Sequence, residues 1–347
     1  MTVQRHPATS TVPGARDPLL SVKGLSVLLF TETATVRAVT DVAYTVHRGE
    51  TLAIVGESGS GKTVMNLAPL GLMPGGVRAV VSGSVRLSGE DLTQASEDRL
   101  MQVRGRKVGV VFQDPLSALN PNRRVGPQIE EVFRLRLGLD AAASHARAIE
   151  FLRMVGIPEP ERRLRMFPHE MSGGMRQRVM IAIAIAAEPE LLIADEPTTA
   201  LDVTIQSQLL ELLMRLQKQL GMAMVLVTHD VGVVARVADR VAVMYAGEIV
   251  ELGTAEEILK RPRHPYTRAL LAAVPEPDAP VGSRFTGLSG SPPDLSNPAV
   301  GCAFAPRCPL VQGECTRATP MLTQAEGSGH LAACWVSTPQ VAERPTR

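Results

Sequence analysis

From Leu19 to about Gly253, apolar runs alternate with helical spacings, and turn residues interrupt the pattern at short intervals. That alternation predicts an α/β domain on a mainly parallel sheet. The strand candidates are Thr51–Val55, Val108–Phe112, Leu191–Ala194 and Met222–Thr228, whose Val, Ile and Leu content suits strands buried on both faces. Between Gln113 and Met171 the strand signal fades. Gln128–Leu137 and Ala142–Val155 carry helical spacing and end on Gly and Pro. A helical insertion at about 114–175 is therefore expected inside a domain spanning 19–260. Beyond Arg261, Pro275, Pro277, Pro280, Pro292, Pro293 and Pro298 exclude long regular elements, so 261–347 is expected to form a separate C-terminal extension. Residues 1–18 mix Thr, Pro, Arg and Gly without an apolar stretch; they read as a frayed tail, neither signal peptide nor anchor.

Composition narrows the classes. The chain has 347 residues, 45% hydrophobic and only 3% aromatic, enough for a large aliphatic core. Its 36 basic and 35 acidic residues nearly cancel, so nucleic acid is not an expected partner. The longest apolar run, Val179–Ala187, is far shorter than the roughly 20 residues of a membrane-spanning helix. Any link to a membrane is expected to come through a partner.

Gly56-Glu57-Ser58-Gly59-Ser60-Gly61-Lys62-Thr63 follows an apolar strand and opens a helical pattern, the context a phosphate-binding loop requires. Glycines let backbone N–H groups turn toward a triphosphate, the helix N-terminus favours negative charge, Lys62 neutralises β/γ oxygens and Thr63 offers a hydroxyl to Mg²⁺. Leu191–Ala194 ends in Asp195 and Glu196, at the tip of a parallel strand where such sites form. Two acids before a proline are commonplace alone. Beside a phosphate loop, they suit a Mg²⁺-binding Asp195 and a Glu196 that orients the attacking water.

A further motif, Met171-Ser172-Gly173-Gly174-Met175-Arg176-Gln177-Arg178, lies about twenty residues before that strand. With Gln113, Ala200-Leu201-Asp202 and His229 in order around it, the chain over roughly 20–340 resembles the ABC ATPases. The resemblance implies a P-loop NTPase fold: an ABC nucleotide-binding domain with an antiparallel β subdomain and a helical insertion, followed by the cysteine-containing extension. It implies that ATP lies between the phosphate loop of one domain and Ser172, Gly173 and Gly174 of another. Taken alone, that serine would be an ordinary helix cap. Gln113 is then expected to sense Mg²⁺ and water, His229 to hold the γ-phosphate and Glu196, and Asp202 to communicate across the dimer. The family stacks an aromatic ring on adenine; 31–42 contains none, leaving Phe30 and Tyr44 as candidates.

Met175, the segment Arg261-Pro262-Arg263-His264-Pro265-Tyr266-Thr267, and Gly290-Ser291-Pro292-Pro293-Asp294-Leu295 resemble the ATPase subunits of oligopeptide and dipeptide importers. That resemblance implies a peripheral protein on the cytoplasmic face of the cell membrane, working with two membrane-spanning permease subunits, a second and different ABC ATPase, and indirectly an extracytoplasmic solute-binding protein. Importers of nickel or other small solutes share this subunit type. A soluble ABC ATPase outside transport is the rival reading.

Cys302, Cys308, Cys315 and Cys334 are separated by five, six and eighteen residues in the Pro-punctuated extension. Thiols converging in a segment without its own core suit a metal staple, since coordination can supply folding energy that packing cannot. The spacing lacks the close pairs usual for Zn²⁺ and leaves a [4Fe–4S] cube open. The peptide-importer resemblance implies the cube, with Zn²⁺ the alternative.

Overall fold

The computed structural model describes residues 17–199, 202–273, 288, 290–297, 300–324 and 329–338. Residues 1–16 of the expected tail lie outside the described residues, as do Ala200, Leu201, Pro275, Pro277, Pro280 and Pro298. The strands are β1 (Leu20–Phe30), β2 (Thr35–Val46), β3 (Thr51–Val55), β4 (Arg78–Leu87), β5 (Glu90–Asp91), β6 (Val108–Val111), β7 (Leu191–Asp195), β8 (Ala223–Thr228), β9 (Arg240–Tyr245), β10 (Glu248–Thr254), β11 (Thr323–Gln324) and β12 (Leu331–Ala332).

Eight strands form one sheet in the order β11-β12-β10-β9-β3-β8-β7-β6. Its centre, β9 to β6, is parallel. Every residue of β3, β7 and β8 is buried, which is why these strands are continuous apolar runs. β6 stops one residue short of the expected Phe112, whereas β7 runs one residue further and carries Asp195 into the strand. Helices Val125–Leu137 and Ala141–Met154 fill the insertion. Phe133 and Phe151 meet edge to face at 5.3 Å and share a core with Val179 and Ile181 of the helix Gly173–Ile185.

A second, antiparallel sheet runs β2-β1-β4-β5. The pairing of β1 with β2 shifts register between Val22 and Leu25, between Leu25 and Val27, and between Val27 and Leu28, and these irregularities break period-two alternation. At Gly83 a Cβ would lie 2.3 Å from the Gly24 carbonyl oxygen, so only glycine fits this close crossing.

The extension is not the separate segment its composition suggests. β12 pairs antiparallel with β10 and continues the large sheet. Glu251 of β10 is fully buried; it accepts from the Arg263 N–H at 2.7 Å and the His264 N–H at 2.9 Å, and meets His330 Nε2 at 2.6 Å. Phe304, 1% exposed, packs edge-on against Tyr245 and Tyr266. A segment without its own core has joined the domain's, and burying Phe304 alone contributes about 2 kcal/mol. No helix among the described residues is long and apolar enough to cross a membrane.

Candidate functional site

The phosphate loop leaves β3 at Gly56 and enters the helix Lys62–Leu67. A Cβ at Gly61, where φ is +98°, would stand 2.2 Å from the Ala38 carbonyl oxygen, which fixes glycine there by both conformation and space. Lys62 Nζ donates to the Gly56 and Glu57 carbonyl oxygens, each at 2.8 Å. Burial lowers the ammonium's pKa, opposed by the charges of Glu196, Asp195 and Glu57. Ser58 and Gly59 lie at the loop's exposed tip, while Ser60 is buried with a hydroxyl that has no hydrogen-bond partner in the protein.

β7 and β8 bring the catalytic candidates beside this loop. Thr63 Oγ1 donates to Asp195 Oδ2 at 2.8 Å and to Oδ1 at 3.1 Å. Asp195 is 3% exposed, and its carboxyl pKa is raised chiefly by that burial. Glu196 has φ +45°, a left-handed conformation rare outside glycine, held by its N–H bond to the Val227 carbonyl at 2.9 Å. On its Oε2 converge Gln113 Nε2 at 3.1 Å, Thr199 Oγ1 at 2.9 Å and His229 Nδ1 at 3.4 Å. The segments that follow β6, β7 and β8 therefore aim polar groups at a single carboxylate oxygen. Thr199 escaped the sequence reading; its position three residues after Glu196, within the turn that follows β7, was the available signal.

Ser172 caps the helix Gly173–Ile185, its Oγ accepting the Met175 N–H at 3.3 Å. No hydrogen bond among the described residues joins Ser172, Gly173 or Gly174 to 56–63 of the same chain. The same helix is nevertheless tied to the end of β7, because buried Gln177 donates from Nε2 to the Pro197 carbonyl at 2.8 Å. Asp202 stands exposed before the helix Val203–Leu220 and makes no side-chain cap bond.

Tyr44 is overturned as an adenine platform. It is 5% exposed in the core, and its Oη donates to Asn66 Oδ1 at 3.3 Å. Phe30 is 39% exposed at the end of β1, with the Arg78 guanidinium 5.9 Å from its ring centroid.

The four cysteines are free thiols, Cys315 and Cys334 buried, Cys302 and Cys308 half-buried. They are near enough to influence one another: burial, then neighbouring thiols, push Cys302 up to about 11, and Cys308 moves the same way. The Cys302 N–H donates to the Cys315 carbonyl at 2.8 Å. Among the described residues no group of three or more His, Cys, Asp or Glu is arranged to hold a metal ion, so the geometry adds no support to the metal staple expected from the cysteine spacing.

Residues 39–199 match the ABC transporter family, and 250–315 match the oligopeptide/dipeptide transporter C-terminal region. The chain is similar to the oligopeptide transport ATP-binding protein OppD of Bacillus subtilis, 52% identical over 83% of this chain and 81% of that protein. It is also similar to the dipeptide transport ATP-binding protein DppD of the same organism, 45% identical over 92% of this chain and 95% of that one. Among solved structures it resembles the ATP-binding cassette MJ0796 in a dimeric post-hydrolysis state bound to ADP and Pi, with 28% identity, a TM-score of 0.60, and coverage of 68% of this chain and 98% of that one. Phosphate loop, paired acids, sheet order and these likenesses agree: the chain belongs to the ATP-binding proteins of the ABC transporter family, in the group that carries the oligopeptide/dipeptide transporter C-terminal region, and is an ATPase.

Proposed function

We propose that this chain is the motor of a peptide importer, and that its own residues carry hydrolysis in assigned roles. The observation that carries the reading is the convergence of Gln113, Thr199 and His229 on Glu196 Oε2, beside the Thr63–Asp195 pair. Glu196 accepts a proton from the attacking water as its oxygen bonds to the γ-phosphorus; the bond from phosphorus to the β-bridging oxygen breaks, releasing ADP and phosphate. Gln113 and His229 hold Glu196 in line, and Lys62 balances charge on the β/γ oxygens. Two oxygen donors side by side, Thr63 Oγ1 and the Asp195 carboxylate, fit a hard divalent cation. Mg²⁺ held there with the nucleotide neutralises charge on the phosphates. Ser172, Gly173 and Gly174 complete the site of a second ATPase subunit, and Asp202 communicates across that interface.

The peptide reading draws support from the printed names of the relatives and from the matched C-terminal region. It implies a peripheral position at the cytoplasmic face of the cell membrane, two permease subunits, a second ATPase that differs from this chain, and a solute-binding protein outside. In proteoliposomes holding the whole complex, ATP-dependent uptake of labelled oligopeptide or dipeptide is expected. Uptake of nickel but neither peptide would overturn the peptide reading.

The same reading includes a [4Fe–4S] cluster held by Cys302, Cys308, Cys315 and Cys334. Its support is four free thiols gathered in one segment, with burial and the neighbouring thiols disfavouring the thiolates of Cys302 and Cys308; a cluster's iron would supply the positive charge that stabilises them. Anaerobic purification followed by iron, sulfide and zinc analysis decides it. About four irons and four sulfides per chain are expected, whereas zinc alone, or no metal, refutes the cluster.

A further inference from the structure

Glu57 is the second residue of the phosphate loop, and a carboxylate there presents an electrostatic problem. A bound triphosphate carries several negative charges, so an unbalanced acid in the loop opposes it. The balance arrives from 250 positions away. Arg307 donates from Nη1 to Glu57 Oε2 at 2.7 Å and from Nη2 to Oε1 at 2.9 Å, a bidentate fork. Its side chain is 6% exposed, against 23% for Glu57. The fork is itself oriented: Nη1 also donates to Tyr245 Oη at 3.3 Å, and Nη2 to the Leu288 carbonyl at 3.4 Å. The Glu57 N–H donates to Tyr266 Oη at 2.9 Å, which removes that N–H from phosphate binding and pins the peptide.

Arg307 closes the short turn Ala305–Arg307, next to Cys308. The Ala305 N–H donates to the Cys302 carbonyl at 2.9 Å, and the Cys308 N–H to the Ala305 carbonyl at 3.3 Å, so the arginine and two cysteines belong to one hydrogen-bonded turn. Phe304 anchors that turn on Tyr245 and Tyr266. The Glu57 carbonyl also receives Lys62 Nζ, so the position of this peptide sets where the ammonium stands.

We propose that Arg307, seated in the four-cysteine segment, is a positioning residue for nucleotide binding, holding Glu57 and cancelling its charge so that the loop 56–63 accepts a triphosphate. The inference rests on the reading of that loop as the ATP site. It makes the cysteine segment part of the nucleotide site's support.

The test measures dissociation constants for MgATP and MgADP by calorimetry on the full chain, with thermal unfolding confirming that each variant is folded. Arg307→Gln leaves a half-buried carboxylate unbalanced and is expected to weaken MgATP about tenfold, within the usual range of coupling between sites, and MgADP less, because ADP carries less charge. Adding Glu57→Gln removes the charge and is expected to restore MgATP binding to within about threefold of the original chain. Arg307→Lys keeps the charge but loses the fork, so its affinity falls between the two. Unchanged MgATP affinity in Arg307→Gln, a double variant as weak as the single, or Arg307→Lys no better than Arg307→Gln would each overturn the proposal. An original chain that binds no MgATP would overturn the reading of the loop itself, and this inference with it.

Discussion

Glu251 is the joint between the nucleotide domain and the extension, and its replacement has a calculable cost. The side chain is fully buried and serves three donors, with Oε1 facing the Arg263 N–H and His330 Nε2 and Oε2 facing the His264 N–H. Glu251→Gln can keep its oxygen toward Arg263 and His330, but its NH₂ then faces the His264 N–H, so one bond becomes a clash of donors. Stranding one buried donor costs about 1–3 kcal/mol. Glu251→Ala strands all three and opens a void, for a total of about 3–5 kcal/mol, the range found when one member of a buried charged network is removed. The only tryptophan, Trp335, lies in the extension, with Nε1 donating to the Ala318 carbonyl at 2.9 Å. Its fluorescence during urea unfolding therefore reports the extension, while far-UV circular dichroism reports the whole chain. The expected order of stability is original, Gln, Ala, with the Trp335 transition shifting further than the circular dichroism transition. An Ala variant within about 1 kcal/mol of the original, or a Gln variant less stable than Ala, would refute this reasoning.

Three other outcomes follow from particular groups. Burial, and then the Asp41 carboxylate, push Glu248 up to about 7 from the ordinary 4.5; the folded chain holds that proton more tightly than the unfolded one. Its contribution is thus full below pH 4.5 and lost as pH rises through 7, so the ionised group costs about 3 kcal/mol at pH 8. Glu248→Gln should melt higher than the original at pH 8 and equally at pH 4; equal melting at pH 8 contradicts the assignment. Tyr44→Phe removes a buried hydroxyl bonded to Asn66 at 3.3 Å and should cost about 1 kcal/mol of stability. Its MgATP affinity should stay within about twofold, whereas a large loss would return Tyr44 to the nucleotide site. Ser172→Ala should cost about 1 kcal/mol as a lost helix cap. In the assembled complex its ATPase rate should fall by about tenfold or more, and an unchanged rate would confine Ser172 to capping.

The parts of the fold and site that could be read from the chain alone share a physical property: their determinants are local. β3, β7 and β8 are buried on both faces and so appear as unbroken apolar runs, and the phosphate loop packs its chemistry into eight consecutive residues. β1 and β2 were harder to see because bulges, together with the left-handed Asp41 at φ +46°, interrupt their alternation. Tyr44 shows a different limit, since residue type marks an aromatic ring but not which side of the sheet it faces. Arg307 and Glu57 have no local pattern linking them, and their pairing follows only from where the extension docks. The cysteine spacing likewise brought four thiols into one neighbourhood without fixing their directions.

The central claim is that Glu196, surrounded by Gln113, Thr199 and His229, drives hydrolysis at this loop. The most direct test is Glu196→Gln in the assembled complex, with MgATP binding and turnover measured on the same preparation. The account predicts MgATP affinity within about threefold of the original and turnover reduced by at least about 100-fold, the low end for loss of a general base. Full turnover in that variant would contradict it.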